Sequence, residues 1–482
     1  MKTKPVAREL RNALFSTPGK VSLLFSFSFY KALAVIVFTE AFLFPTFRSG
    51  GNFVLESQVI FYIVCALVCI AAAVFLRKNT ELFSQNWYAA LVLLVALIGL
   101  FFLYLRANAS IQDRLSEELC FYLGIGFLGL GFMGFHIELG RLFGYLGMSK
   151  TLVFGVLSSC IGAILYLAYT FSGQARWVLI AIYLIVSVTF FYRTRNAIGK
   201  TRIYNITYER ELKVPYRFML TSLMQGVSFG FIYGMLTNLH HTPYPPIECI
   251  GMLGAALLTV VTLLVSHVDF NRSIYRIGFP LVAFSMLGMG LFLAQAIPLV
   301  ALQVIGFLYL DLVLWALGSY LIKDCDQPAT WVAACPSAML MTGRAGGVVV
   351  GGFLPEDLQS SALLVGAFIV ILAALLLSSE SNIRTGWGFI RPGDPRSTTD
   401  ITKMCSIIAK EHQLTPREAE VLKALVDGRD SDEIAKELYI SPNTVKSHIQ
   451  NIYSKLGIHS RKELLRLSKD RQRLLQEDSM KS

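Results

Sequence analysis

Charge is what this chain has least of. Its 482 residues include 32 Asp and Glu and 43 Lys and Arg, so charged side chains make up 16% of the total, against roughly a quarter in soluble domains. Hydrophobic residues make up 54%, and the mean hydropathy is +0.56. That balance excludes an ordinary soluble enzyme or scaffold. The eight cysteines (Cys65, Cys69, Cys120, Cys160, Cys249, Cys325, Cys335 and Cys405) form no CxxC pair and no disulfide framework. Most lie in apolar runs, where cysteine behaves as a small hydrophobe. A Cys120–Cys249 disulfide is geometrically conceivable but not expected. Catalytic signatures are also missing. There is no glycine loop leading to a P-loop lysine, no HExxH and no GxSxG, so the sequence offers no enzyme class, metal site or cofactor.

Apolar runs long enough to cross a bilayer fill the chain as far as residue 378. The pattern predicts twelve spans, at about 21–44, 54–76, 87–105, 119–140, 151–171, 177–192, 216–238, 247–268, 275–296, 299–321, 329–353 and 360–378. Residues 1–20 form a basic arm. The apolar stretch after it is too long for a signal-peptide core and ends without a small-residue cleavage site. An even number of spans puts both termini on one side, and charge decides which. With the arm inside, the arm and inner loops hold nineteen Lys and Arg, and the outer loops hold only Arg48, Arg106, Arg114 and Arg176. The positive-inside rule therefore predicts cytoplasmic N- and C-termini in a cell inner membrane.

The longest inner loop, Arg193–Arg217, divides the spans six and six. This layout resembles the major facilitator family, two six-helix halves joined by a basic central loop. The family's glycine-acidic-arginine loop between spans two and three is absent, and Arg77-Lys78-Asn79-Thr80-Glu81 stands there instead.

Ionisable groups at membrane depth are costly and often functional. Lys31 and Glu40 fall in span one, Asp311 in span ten and Arg344 in span eleven. These four are the candidate ligand-sensing residues, and Asp311 and Arg344 are expected to pair because they lie at comparable depth. An interior structural ion pair is the competing reading. For His136, Glu138 and Glu248, near span ends, the structural reading is preferred. Glycines cluster in span four (Gly124, Gly126, Gly129, Gly131, Gly134) and span eleven (Gly343, Gly347, Gly351), where they permit close helix approach. Pro280, Pro298 and Pro336 are candidate helix breaks.

After residue 378 the composition changes. Residues 379–411 carry turn signals such as Arg391-Pro392-Gly393-Asp394 and read as a cytoplasmic linker, with Ile401–His412 a candidate short helix leading into the next unit. From 412 to 482 the pattern is four short helices. Thr415 and Glu418 form a capping box, Gly428 ends the first helix and Ser431 caps the second. Ser441 and Pro442 open the third, and Ser460 with Glu463 caps the fourth. The third helix, SPNTVKSHIQNIYSKLG, turns Val445, Ile449, Ile452 and Leu456 to one side. Asn443, Thr444, Lys446, Ser447, Gln450, Asn451 and Lys455 make up the other side, which is polar, positive and free of carboxylates, as a helix in a DNA major groove requires.

Leu414–Leu465 resembles the LuxR-type (FixJ/NarL-type) helix-turn-helix domain. The resemblance rests on LTPREAEVL at Leu414–Leu422, on Ile434, Ala435 and Leu438, and on TVKSHIQNIYSKLG at Thr444–Gly457. It implies that the third helix reads the major groove and the fourth supports dimerisation. Lys446, Ser447 and Gln450 would then face base edges and Thr444 a phosphate. Many relatives have an aliphatic residue at the Ser447 position and lysine at the Gln450 position, which bears on the DNA sequence preferred. No receiver domain of the kind that usually controls such domains is recognisable, so the input must come through the membrane domain or a partner.

The sequence thus predicts an all-α polytopic membrane protein of about twelve transmembrane helices with a small four-helix DNA-binding domain. Its expected function is one-component transcription regulation, in which the membrane domain senses a small molecule or membrane state. Its expected partners are double-stranded promoter DNA, the lipid bilayer, a small-molecule ligand and a second copy when bound to DNA. The alternative is a secondary transporter of the major facilitator type with a regulatory DNA-binding tail.

Overall fold

The computed structural model describes residues 14–15, 17–39, 52–75, 86–108, 114–198, 216–238, 246–264, 273–292, 296–323, 327–377, 398–426, 431, 434–435, 438–460, 463–464 and 467–468. Residues 1–13, Glu40 and residues 76–85, 199–215 and 378–397 are among those outside these. The chain divides into two compact units, Met1–Ser379 and Glu380–Ser482, and among the described residues all regular structure is helical.

Among the described residues, the first unit holds twelve long helices. The first half contains α1 (Lys20–Thr39), α2 (Asn52–Phe75), α3 (Asn86–Asn108), α4 (Arg114–Leu146), α5 (Met148–Thr170) and α6 (Arg176–Ile198). The second contains α7 (Tyr216–Asn238), α8 (Pro246–Leu264), α9 (Phe279–Leu291), α10 (Ala296–Lys323), α11 (Ala329–Gly352) and α12 (Gln359–Leu377). Of these, 11 are long and apolar enough to cross a bilayer, α9 only together with the helical turn before it, over Ile274–Leu291. The exception is α11, which carries Arg344 and a run of glycines within its 24 residues. It packs between α7 and α2, where neighbouring helices replace lipid and less hydrophobicity is needed.

The helix pairing repeats. Contacts α1–α5, α1–α6, α2–α4, α3–α4 and α3–α6 in the first half recur as α7–α11, α7–α12, α8–α10, α9–α10 and α9–α12 in the second. The halves meet through α2–α11 and its counterpart α5–α8, with α4–α10 between them. Six and six is therefore a structural repeat, of the kind seen in transporter folds.

Helices α7 and α11 approach each other closely. A Cβ on Gly230 would lie 2.2 Å from the carbonyl oxygen of Arg344, and Gly226 and Gly234 meet the α11 backbone in the same way. From the other side, Gly343, Gly347 and Gly351 press on the backbone of Leu223, Val227 and Phe231. Six glycines at four-residue spacing let the two backbones touch. The glycines of α4 do not all do this. Gly131 packs on the α3 backbone at Ala96, whereas Gly126 faces open space. Of the candidate breaks, Pro280 follows a π-helical turn at Ile274–Gly278, and α11 runs on through Pro336. Cys120 and Cys249 are both free thiols, so the conceivable disulfide does not form. The Cys249 thiol donates instead to the Ala163 carbonyl.

The second unit contains α13 (Thr398–Glu411), α14 (Pro416–Val426) and α15 (Pro442–Leu456). Further helical residues occur at Ser431, Ile434–Ala435, Glu463–Leu464 and Leu467–Ser468. The unit has its own core of Cys405, Ile408, Val421, Leu422, Leu425, Ile434, Val445, Ile452, Leu456 and Leu464.

Candidate functional site

In the second unit, local chemistry fixes α15. The Ser441 side chain accepts from the Thr444 amide at 3.1 Å, a cap of about 1 kcal/mol. Pro442 occupies the first turn, and Gly457 ends the helix in the left-handed conformation at φ 64°. Val445, Ile452 and Leu456 are buried and Ile449 packs against them. Asn443, Thr444, Lys446, Ser447, Gln450 and Asn451 are exposed, forming one polar face with no carboxylate. Tyr439, with φ 54° and almost full exposure, makes the turn before α15. Ile440 donates back to the Ala435 carbonyl at 3.0 Å and closes it.

Lys455 departs from the expected groove-facing cation. Its ammonium lies 2.7 Å from Glu418 Oε2 and also donates to the Gln413 carbonyl. A helical period of 3.6 puts residue 455 at the rim of the polar face, within reach of α14. The Lys455 hydrogen bond and the Thr415 amide hold the Glu418 carboxyl below its ordinary pKa. The predicted capping box is present, with Thr415 N to Glu418 Oε2 at 2.8 Å and Glu418 N to Thr415 Oγ1 at 3.3 Å. In the second predicted box, Ser460 Oγ accepts from the Glu463 amide at 3.3 Å as expected, while the Glu463 carboxylate accepts one residue earlier than in that pattern, from the His459 amide at 2.9 Å.

In the first unit, Lys31 Nζ meets Asp311 Oδ2 at 2.5 Å, an ion pair joining α1 to α10. Lys31 also lies over the rings of Phe27 and Trp315. This overturns the expected Asp311–Arg344 pair. Arg344 sits beside Phe307, one helical turn from Asp311, and the α1 lysine is the nearer cation. Arg344 is buried in a box of Phe38, Tyr62, Phe229 and Phe307, with ring centres 4.7–5.7 Å from its guanidinium carbon. Each cation–π contact contributes about 0.5–2 kcal/mol. Its Nε and Nη1 have no hydrogen-bond partner among the described residues, and each unmet donor costs about 1–3 kcal/mol. Glu40, the fourth candidate, lies outside the described residues.

A cavity of about 70 Å³ lies between the halves, walled by α4, α7, α10 and α11. Its polar lining is His136, Ser222, Gln225, Asp311, Ser319 and Ser337. His136 bonds to the Tyr30 hydroxyl through Nδ1 and to Ser337 Oγ at 2.8 Å through Nε2. His136 thus lines the cavity, and its bonds to Tyr30 and Ser337 are also those of an interior structural residue. Gln225, Trp315 and Ser337 have no place in the sequence reading. For Gln225 the signal is a polar periodicity within α7, where Thr221, Ser222, Gln225 and Ser228 are all buried; Trp315 on α10 and Ser337 on α11 leave no such trace. Glu138 also fits the structural reading, as the partner of Arg141 at 3.7 Å.

Residues 412–468 match the bacterial regulatory proteins of the luxR family. Over 67 residues the chain is 42% identical to the uncharacterized response regulatory protein YgeK of Escherichia coli (strain K12), covering 14% of this chain and 46% of that one. It is 31% identical over 110 residues to the transcriptional regulatory protein LnrK of Bacillus subtilis (strain 168), covering 23% and 48%. Over 63 residues it is 44% identical to the HTH-type transcriptional regulator MalT of Yersinia pestis (strain Pestoides F), covering 13% and 7%. The chain thus spans less than half the length of each of these relatives.

The first unit is similar in fold to a bacterial homologue of the iron transporter ferroportin in the outward-facing state, at TM-score 0.53 and 15% identity, covering 75% of this chain and 98% of that one. It is also similar to the major facilitator superfamily proton:xylose symporter XylE, at TM-score 0.51 and 14% identity, covering 78% and 97%. The chain therefore joins a segment that matches the luxR-family helix-turn-helix to a unit of apolar helices with a fold similar to the major-facilitator transporters.

Proposed function

We propose that this protein is a membrane-embedded one-component transcription regulator. Its twelve-helix unit senses a small molecule or membrane state, and its helix-turn-helix domain binds promoter DNA as a homodimer. The observation that carries this reading is the coexistence of two intact devices in one chain. The first is the exposed, carboxylate-free face of α15. The second is a cavity between two six-helix halves that are also bridged by the Lys31–Asp311 pair. A ligand that binds one arrangement of the halves more tightly shifts their equilibrium by that difference in affinity. Lys31, Asp311 and Arg344 are the proposed sensing residues. Asn443, Thr444, Lys446, Ser447, Gln450 and Asn451 are the proposed DNA contacts. The charge asymmetry of the loops supports an inner-membrane position with both termini in the cytoplasm, where the helix-turn-helix reaches the chromosome.

Transcript profiling of a deletion strain, complemented with wild type or Asp311→Asn and grown across candidate compounds, tests the reading. A regulated gene set whose response to one compound is lost in the variant supports it. The second reading, a transporter whose tail reports on flux, draws on the likeness to transporters and the repeated halves. It requires gradient-driven uptake in proteoliposomes, which a pure sensor lacks.

A further inference from the structure

Arg344 is about 4% exposed, and two of its nitrogens have no hydrogen-bond partner among the described residues. The rings around it come from both halves, Phe38 on α1 and Tyr62 on α2 from the first, Phe229 on α7 and Phe307 on α10 from the second. The Arg344 backbone is fixed to the second half by Gly230. The Tyr62 hydroxyl donates to the Phe38 carbonyl at 2.6 Å, tying the first-half rings together. A buried guanidinium walled by rings, with two donors unmet, is incompletely satisfied, and an anion would complete it.

We infer that the Arg344 box is a binding site for an organic monoanion, a carboxylate with an apolar body, and that its occupation favours separation of the two halves. This deepens the sensor reading and rests on it. The charge argument selects the class. Lys31, the buried cation that joins α1 to α10, is already paired with Asp311, so the box offers the single positive charge of Arg344. A carboxylate matches it one to one, whereas a phosphate dianion would keep an uncompensated charge among four rings. The apolar body would fill the space that opens when Phe38 and Tyr62 part from Phe229 and Phe307. The site adjoins the cavity through Gln225, a lining residue whose side chain donates to the Phe307 carbonyl at 3.1 Å.

The test is binding by the purified full-length protein in lipid nanodiscs, read by thermal unfolding and calorimetry. The probes are benzoate, uncharged benzamide and inorganic phosphate. Benzoate alone should raise the unfolding temperature of the wild type, and Arg344→Gln should weaken benzoate binding by about tenfold or more. Arg344→Lys keeps the charge but loses the planar guanidinium, so it should bind benzoate at reduced affinity, and it carries the test if Arg344→Gln fails to fold. Equal effects of benzoate and benzamide, or undiminished benzoate binding in both variants, would overturn the proposal. A benzoate effect appearing only in Glu40→Gln would also overturn it, since Glu40 would then be the resident counter-ion. No DNA or reporter enters the measurement, so its failure leaves the regulator reading standing.

Discussion

Lys31 and Asp311 stand 280 positions apart and meet at 2.5 Å, tying the first helix of one half to the fourth helix of the other. The lysine side chain is 7% exposed and the aspartate 22%, so water can reach one end of the pair from the cavity. Breaking such a pair from one side leaves a charge behind, and replacing both partners does not. Asp311→Ala should therefore cost about 3–5 kcal/mol, and Lys31→Met with Asp311→Leu should recover most of that loss. Unfolding of the purified protein measures both. Equal destabilisation by the single and double variants would show that the two charges do not depend on each other.

The α7–α11 seam gives a second expectation. Gly230→Ala places a methyl 2.2 Å from the Arg344 carbonyl oxygen and should cost about 1–3 kcal/mol or more through overpacking. Gly126→Ala meets nothing within 4 Å and should be neutral or slightly stabilising. Comparing the unfolding temperatures of the two variants tests whether close backbone approach holds this pair of helices.

Glu418 contributes to the pH dependence of the second unit. Its folded pKa lies below the ordinary 4.5, chiefly through Lys455. Its contribution is therefore present above the unfolded value and is lost as pH falls through the folded one. Glu418→Gln should cost the 398–482 fragment, which has its own core, about 1–2 kcal/mol at neutral pH. The variant should also lose part of the fragment's acid sensitivity below about pH 5. Circular dichroism melts from pH 3 to 7 read both effects, and parallel curves for wild type and variant would show the pair to be inert.

The helix-turn-helix unit is legible in the sequence because its signals are local. Ser441, Thr415 and Glu418 lie within one turn of the groups they cap, and Val445 to Leu456 advertise their face by spacing alone. Spacing does not reveal the pairing of Lys455 with Glu418, which reaches it through the tertiary fold. In the membrane unit, hydropathy locates the helices, but nothing in it shows that α1 crosses to α10, so it assigns Asp311 the wrong cation. The α11 glycines stand out in the sequence. Their partners Gly226, Gly230 and Gly234 carry the same four-residue spacing without standing out, since a seam becomes visible only when two helices are compared. The cavity, built from four helices, leaves only the polar periodicity of α7 as its trace.

Lys446 tests the DNA face. It is exposed on α15 and carries positive charge without a carboxylate on the same face. Lys446→Ala should weaken specific binding by about 1–3 kcal/mol if it meets a base edge. A uniform loss on every sequence, with a shallower salt dependence, would assign it to a phosphate instead.

The central claim is that one chain sits in the membrane and regulates genes through its own DNA contacts. The most direct measurement is genome-wide crosslinking of the full-length protein, recovered from the membrane fraction of cells carrying either wild type or Lys446→Ala at matched abundance. The account predicts discrete promoter sites bound by the wild type and lost in the variant, with transcripts of the adjoining genes changing in step. Absence of any enriched site, or identical sites and transcripts in both strains, would contradict it.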